Sequence, residues 1–353
     1  MSPRVTVLMT VYNGAAFLRP SVESVLEQSF DDFEFLIIDD TSTDESVELV
    51  RSYSDPRIRL VLNDHNIGQA ASLNKGLELA CGDYIARLDQ DDVCLPGRFR
   101  AQVRLLEERS DVAMVGSWVY SINPEGRKVR RWRPRIDNFG SFVGQLTLGL
   151  TPVWHPSVMY RRQAILTLRG YDPAYAPAED YDLWTKVAGA RLNGAVVCAF
   201  LTAQRVHDTR QSIKGKAVQE DSLRRSHDRL LASFSDFSDI ESLGLLLRLE
   251  EGFLRKCRTR RQLVEALAAL DGLLLQMRVS LELSDEEFSA FRKLIYRRLG
   301  TGIRLGTKLG RLPFPLFYLF LVGLSPMLLA SLQRPAAFLK QRLPELRYLR
   351  RLF

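Results

Sequence analysis

The stretch Tyr84-Ile85-Ala86-Arg87-Leu88-Asp89-Gln90-Asp91-Asp92 runs from a strand-like segment directly into a group of acidic side chains. A buried strand that ends in three carboxylates concentrates negative charge at a sheet edge, which is unfavourable unless a cation or a hydrogen-bond donor compensates it. Hard oxygen ligands at Asp-x-Asp spacing suit Mg²⁺ or Mn²⁺, and these ions keep coordination positions for water and substrate phosphates. The stretch therefore predicts a divalent-cation site that binds a nucleotide diphosphate.

Strand-like and helix-like segments alternate before this stretch. The predicted strands are Val5–Val11, Phe33–Ile38 and Ile58–Leu62, and the predicted helices include Phe17–Gln28 and Gln69–Ala80. Such alternation implies parallel β-α-β units with ligand-binding groups at the carboxyl ends of the strands. Asp39-Asp40 and Asp89–Asp92 both follow predicted strands, so we expect them at the same edge of the sheet.

A dinucleotide-binding oxidoreductase would share this β-α-β beginning. Its glycine-rich fingerprint, Gly-x-Gly-x-x-Gly, belongs directly after the first strand. The chain has Tyr12-Asn13-Gly14-Ala15-Ala16 at that place. The sequence therefore argues against this class of enzyme.

The positive charge of the chain belongs to its last 53 residues. The 353 residues carry a net charge of +7, but the segment from Thr301 onward has nine Lys or Arg and one acid, so it carries +8 and the first 300 residues sum to −1. This basic segment adjoins an apolar one, which favours a membrane surface over nucleic acid as its partner. We expect no nucleic-acid partner.

No charged residue lies between Arg311 and Arg334, and residues 312–332 are strongly apolar. Their length is close to the roughly 20 residues that span a bilayer, but three prolines interrupt them and basic residues flank both sides, unlike the charge asymmetry of a simple spanning helix. We predict that 312–353 associates with the inner face of the cell membrane as an interfacial or re-entrant segment. The alternative is a buried helical hairpin.

The rest of the chain predicts the domain organisation. Residues 1–215 contain the α/β pattern, 216–300 are rich in Leu, Arg and Glu and predict a helical domain or arm, and 301–353 form the basic, apolar tail. The four cysteines are widely spaced and no Cys-x-x-Cys occurs, which favours a reduced, cytoplasmic location.

The ordered set of motifs resembles glycosyltransferase family 2. The motifs are Thr10-Val11-Tyr12-Asn13, Ile38-Asp39-Asp40-Thr41-Ser42-Thr43-Asp44, Asn66-Ile67-Gly68 with Asn74-Lys75-Gly76, Asp89-Gln90-Asp91-Asp92, and Glu179-Asp180-Tyr181-Asp182-Leu183-Trp184. The resemblance covers roughly residues 3 to 212. It implies the GT-A fold, with a mostly parallel central sheet flanked by helices and a helical C-terminal region. It also implies transfer of a hexosyl or N-acetylhexosaminyl group from a nucleotide-diphospho-sugar, UDP being the favoured nucleotide, with inversion at the anomeric carbon.

The resemblance assigns the donor-binding residues. They are Thr10, Tyr12, Asp40, Asn66, Gly68, Asn74, Lys75, Asp89 and Gln90. Tyr12 can stack on the base, Asp40 can accept from the base or ribose, and Lys75 can face a phosphate. The simpler alternative is that the acids after the second strand only cap the next helix.

The resemblance also assigns a Mg²⁺ or Mn²⁺ site and a catalytic base. Asp91 and His207 match the metal ligands, although a lone His is more often a hydrogen-bonded surface residue. Asp180 matches the base that takes the acceptor hydroxyl proton, and Glu179 holds the acceptor or shapes the pocket. Glu179 and Asp182 stay open as alternative bases, because three acids at a helix start also stabilise the helix dipole.

These motifs predict an inverting, metal-dependent glycosyltransferase at the cytoplasmic face of a membrane. The expected acceptor is a saccharide or lipid-linked saccharide of surface-polysaccharide synthesis, because a soluble catalytic domain carries a membrane-seeking tail. The alternative is a catalytically inactive, membrane-attached scaffold that binds nucleotide-sugars.

Overall fold

The structure is a computed structural model that describes residues 2–208, 216–233 and 272–295. The chain forms two compact units, Met1–Ser233 and Phe234–Phe353. The predicted boundaries at 215 and 300 remain predictions, although the structure places residues 216–233 in the first unit.

One sheet organises the first unit. Its strands are β1 (Val5–Val11), β2 (Phe33–Asp39), β3 (Ile58–Leu62), β4 (Tyr84–Arg87), β5 (Val93–Cys94), β6 (Val112–Ile122), β7 (Lys128–Trp132), β8 (Met159–Arg161) and β9 (Asn193–Arg205). In the described residues the strand order is β3-β2-β1-β4-β8-β6-β9-β5, and β7 pairs with β6. The first four strands are parallel, whereas β8 is antiparallel to both its neighbours.

Helices cover this sheet. They are α1 (Ala15–Leu26), α2 (Ser46–Arg51), α3 (Gln69–Leu79), α4 (Arg98–Glu108), α5 (Phe139–Thr147), α6 (Arg162–Thr167), α7 (Glu179–Gly189) and α8 (Lys216–Ala232). Most residues of the central strands are buried, so these strands do not alternate between buried and exposed side chains. Every residue of β1 but Thr10 is buried, for example.

The predicted strands and helices of the first 110 residues agree with the structure to within about two residues at most ends. A 3₁₀ turn at His155–Ser157 precedes β8. Pro156 favours this turn because its φ is fixed near the helical value and its missing N–H is not needed in the first turn.

Helix α8 packs on α7 through a buried acid. The carboxylate of Asp182, fully buried on α7, forms an ion pair with Arg229 of α8 and accepts a hydrogen bond from Ser226 at 3.2 Å. Lys186 lies 3.0 Å from the same carboxylate, and His227 of α8 bonds the Thr147 carbonyl at 2.7 Å. These contacts explain why residues 216–233 belong to the first unit.

The described part of the second unit contains helices at 272–280 and 285–295. A capping box begins the second helix: Ser284 donates its N–H to the Glu287 carboxylate at 2.9 Å, and its hydroxyl accepts the Glu287 N–H at 3.3 Å. No helix among the described residues is both long enough and apolar enough to cross a bilayer. The predicted membrane segment 312–353 lies outside the described residues.

Candidate active site

Three carboxylates converge where β4 ends. Oxygens of Asp89, Asp91 and Asp92 lie within 4.8 Å of one another, as the Asp-x-Asp spacing predicts. Asp92 is buried and accepts the backbone N–H of Arg205 at 2.8 Å. The guanidinium of Arg205 also donates to the Asp91 carbonyl at 3.0 Å, so β9 fixes the backbone of the acidic turn.

His207 lies directly against this cluster. Its Nε2 is 2.7 Å from an Asp91 carboxylate oxygen, and its ring packs on Phe17 with the centroids 4.7 Å apart. Neighbouring ligands of one ion at bond lengths of about 2.1 Å stand about 3 Å apart, so both side chains can bind the same cation with little movement. The carboxylates of this set suit Mn²⁺ or Mg²⁺, and the imidazole favours a transition metal such as Mn²⁺ over Mg²⁺.

Arg87 is a site residue that the sequence motifs did not indicate. Its side chain is almost completely buried in the sheet, and its guanidinium is 2.5 Å from the Asp89 carboxylate. Buried Arg98 donates to the Arg87 carbonyl at 2.7 Å and ties this strand to α4. The sequence did carry a signal, because a lone cation inside an apolar strand has to be paired when it is buried.

The second acidic group, Glu179 and Asp180, begins α7. Glu179 is buried, and its burial raises the pKa of the carboxyl to about 7, with a further contribution from Asp180. Burial also raises the pKa of Asp180, which accepts the Tyr181 N–H at 2.7 Å.

The two acidic groups act on each other electrostatically. The Arg87 guanidinium lowers the pKa of both Glu179 and Asp180, and the Asp89 carboxylate raises both. A charge contributes to the pKa of a buried acid only when it lies nearby, because solvent screens more distant charges. The structure therefore brings the predicted metal side and the predicted base together.

Asp182, the remaining candidate base, has a different environment. Its carboxylate is fully buried among Lys186, Ser226 and Arg229, which join α7 to α8. This carboxylate therefore holds two helices together.

On the donor side, Gln90 fixes the end of β1. Its side-chain oxygen accepts the Tyr12 N–H at 2.8 Å, and its amide donates to the Tyr12 carbonyl at 3.2 Å. The Tyr12 ring is left 50% exposed, and Thr10 is half-buried beside it on β1. A base can therefore stack on Tyr12, whereas the Gln90 amide is engaged with backbone.

Asp40 is buried and holds a loop. Its carboxylate accepts the N–H groups of Ile67 and Gly68 at 2.9 and 2.8 Å and the Asn63 amide at 2.8 Å. Lys75 donates to the Asn63 side-chain oxygen at 2.7 Å. The predicted nucleotide acceptor at this position is thus already bonded to protein donors.

Asn66 and Asn74 also have protein partners. Asn66 donates to the Asp40 carbonyl at 3.2 Å. The Asn74 amide donates to the Tyr171 carbonyl at 2.7 Å, and its side-chain oxygen accepts the Tyr171 N–H at 2.8 Å. The Tyr171 hydroxyl in turn bonds His155 at 2.8 Å, in a buried network beside α7. Asn74 therefore fixes the backbone at Tyr171.

Comparison with known proteins identifies relatives of the chain. The family model described as glycosyl transferase family 2 matches residues 6–168. An uncharacterised glycosyltransferase of Methanocaldococcus jannaschii is 32% identical over 213 residues, 58% of this chain and 71% of the relative. The Escherichia coli protein WfgD, a UDP-Glc:alpha-D-GlcNAc-diphosphoundecaprenol beta-1,3-glucosyltransferase, is 26% identical over 200 residues, 57% of this chain and 76% of the relative. Among the relatives compared, the matches cover 52% to 76% of the relative's length.

Solved structures show the fold. Staphylococcus aureus TarS 1–349 in complex with UDP-GlcNAc superposes with a TM-score of 0.55 at 16% identity, over 84% of this chain and 92% of that one. The mannosyltransferase PcManGT of Pyrobaculum calidifontis, in complex with GDP-Man and Mn²⁺, has a TM-score of 0.51 at 18% identity, over 95% of this chain and 87% of that one. The predicted GT-A fold is thereby confirmed.

Proposed function

The chain belongs to glycosyltransferase family 2, and on this premise we propose that it is an inverting, metal-dependent transferase of surface-polysaccharide synthesis. It moves a sugar from a nucleotide-diphospho-sugar to a saccharide or lipid-linked saccharide. The observation that carries the proposal is that Arg87 and Asp89, at the acidic end of β4, lie close enough to affect the pKa of both acids that begin α7.

Asp91 and His207 would hold the divalent cation, with Asp89 near enough to contact a metal-bound water or the ribose. When bound, such an ion supplies Lewis acidity that neutralises the charge of the departing nucleoside diphosphate. Arg205 and buried Asp92 keep the acidic turn in place through β9. The Mn²⁺ in the related PcManGT structure supports the assignment of the metal.

The nucleotide would lie along the carboxyl ends of β1 and β2. Tyr12 offers an exposed ring for the base, and Thr10 lies beside it. Asp40 would act on the donor indirectly, because it orders the loop at Ile67-Gly68 that would close over the nucleotide. The donor in the name of WfgD and the ligand of the TarS structure make UDP the first nucleotide to test.

Asp180 would act as the general base. An inverting displacement needs a carboxylate on the face of the sugar opposite the leaving group, where it takes the proton of the acceptor hydroxyl. Burial brings the pKa of both acids closer to neutrality, which suits proton transfer at physiological pH. Glu179 shapes the acceptor side, and its pKa is raised by burial and by the charge of Asp180.

A panel of UDP-, dTDP- and GDP-sugars tests the proposal. We expect release of nucleoside diphosphate from one donor class with Mn²⁺ or Mg²⁺, and loss of the release on chelation with EDTA. Binding of a nucleotide-sugar without any release, with membrane extract supplied as the source of acceptor, would support the inactive scaffold instead.

A further inference from the structure

The segment from Arg127 to Arg135, called here the basic hairpin, is a strongly charged surface of the first unit outside the site. Six of its nine residues are Lys or Arg, and none is acidic. All six basic residues are exposed. The segment comprises the last residue of the turn between β6 and β7, β7 itself and residues 133–135.

Five of these six cations lack an acidic partner in the described part of the chain. Arg135 pairs with Asp137 at 2.5 Å, but the described residues place no carboxylate within ion-pair distance of Arg127, Lys128, Arg130, Arg131 or Arg133. Like charges this close repel one another unless an anion neutralises them. The surface is therefore complementary to a dense array of negative charge.

Aromatic rings lie beneath the cations. The Tyr120 and Phe200 rings stack at 4.1 Å, and Trp118 meets Phe200 at 5.3 Å. Lys128 lies 4.1 Å over the Tyr120 ring and Arg133 lies 5.1 Å over the Trp118 ring. Half-buried aromatic rings beside basic side chains are typical of surfaces that rest at a lipid headgroup layer.

The side chains of β7 also favour a lipid headgroup layer as the partner. Val129 is 61% exposed between the basic residues, and Arg130 stacks 3.7 Å over the Trp132 ring. A surface for single-stranded nucleic acid needs rings open for base stacking. Here cations already cover the rings, which favours phosphate headgroups over bases.

The turn that precedes the basic hairpin is joined to the acidic site by Arg205. Arg205 donates to the carbonyls of Asn123 and Pro124, at 3.2 and 2.6 Å, in the turn that starts the hairpin. The same guanidinium donates to the Asp91 carbonyl. One side chain thus links the docking surface to the metal side of the site.

We propose that the basic hairpin docks the first unit on an anionic lipid bilayer and so presents the acidic site to acceptors held in that bilayer. The presentation of the site to an acceptor rests on the proposed function. Docking itself is measured without donor or acceptor. Any contribution of residues 312–353 is the same in all three proteins, because those residues stay unchanged in the test.

The test compares three full-length proteins in cosedimentation with phosphatidylcholine vesicles that contain or lack phosphatidylglycerol. They are the unaltered chain, the hairpin variant Arg127→Gln/Arg130→Gln/Arg131→Gln, and the control Arg19→Gln/Arg51→Gln/Arg104→Gln. The control removes the same charge from exposed positions elsewhere in the first unit. Manganese-dependent UDP binding and thermal melting establish that each protein is folded.

We expect the hairpin variant to bind anionic vesicles on the order of 10- to 100-fold more weakly than the unaltered chain. The control should change by less than about twofold, and salt should weaken binding of the unaltered chain. Equal losses in both variants, or no loss in the hairpin variant, would overturn the proposal. So would a hairpin variant that loses binding to a single-stranded oligonucleotide while keeping its affinity for vesicles. Absence of UDP binding in the unaltered chain would count against the proposed function and leave the vesicle result standing.

Discussion

Arg87 is the residue whose charge acts on both acidic groups of the site. It neutralises Asp89 at 2.5 Å and lowers the pKa of Glu179 and Asp180 from inside the sheet. Without this buried cation, the acids of β4 and α7 would repel one another across a poorly solvated space. Arg87, at the end of β4, therefore stabilises the folded state by reducing the repulsion between these acids.

His207 should contribute to metal affinity. Replacing it by Ala removes an imidazole that lies 2.7 Å from the Asp91 carboxylate, so we expect Mn²⁺ affinity in the presence of UDP to fall roughly 10- to 100-fold. Isothermal titration with Mn²⁺ measures the change. His65→Ala, at an exposed position, is the matched control and should leave the affinity unaltered. Equal affinities for both variants would remove His207 from the metal site.

Glu179 should make stability depend on pH. Its pKa of about 7 in the folded state exceeds the ordinary 4.5, so the folded chain holds a proton that the unfolded chain releases. This stabilisation is complete below about pH 4.5 and is lost as pH rises through 7, for a total of about 3 kcal/mol.

Glu179→Gln removes this dependence, because the amide does not titrate. From pH 5 to pH 8 its free energy of unfolding relative to the unaltered chain should therefore rise by about 2 kcal/mol, measured by urea unfolding. Glu125→Gln, on an exposed turn, should show no such rise. If the difference in free energy of unfolding between Glu179→Gln and the unaltered chain stays constant with pH, Glu179 is not a buried, protonated carboxyl.

The sequence predicts where the candidate site lies better than it predicts which groups its side chains contact. Asp91 and His207 meet as predicted, since strand ends of a β-α-β sheet collect at one edge. Asp40 and Asn74 bond to backbone groups instead of pointing free into the site, because a short motif does not encode the direction of a side chain. Arg87 was not predicted because its strand otherwise reads as apolar.

The loop before α3 is the element that most depends on one residue. Gly68 has φ 84° and ψ 161°, a conformation open almost only to glycine, and its N–H donates to Asp40. Gly68→Ala should cost about 1–3 kcal/mol of unfolding free energy and weaken UDP binding, measured by urea unfolding and calorimetry.

Gly189→Ala is the control for this substitution. Gly189 ends α7 and does not have a positive φ, and a methyl group added to it would meet no atom within 4 Å beyond its own helix and chain neighbours. The change should be neutral or slightly stabilising. Similar losses for both variants would show that the Gly68 conformation is not what holds the loop.

The sequence predicts individual strands and helices well, but it predicts poorly which distant strands pair with each other. The strands β1 to β4 follow from alternating apolar and helical segments. The pairing of β5 with β9 joins segments about 110 residues apart, and β8 enters the sheet antiparallel. Helix α8 reads as part of a separate arm, because the buried Asp182–Arg229 pair that attaches it leaves no periodic signal in sequence.

For the whole molecule, the prediction concerns attachment to membranes. Deleting residues 312–353 removes the uncharged apolar stretch and its basic flank. We expect most of the protein to move from the membrane to the soluble fraction in high salt, while UDP binding is retained, because those residues lie beyond the GT-A unit. Fractionation with and without salt measures this, and full retention on membranes in high salt would contradict the tail assignment.

The most direct test of the central claim separates binding from transfer in two variants. Asp91→Ala should abolish metal-dependent UDP binding, with Asp83→Ala on an exposed turn as its control. Asp180→Asn should keep UDP binding and lower release of nucleoside diphosphate from the active donor by about 10²- to 10⁴-fold. Turnover that is unchanged in Asp180→Asn, or metal-dependent UDP binding that survives in Asp91→Ala, would contradict the account.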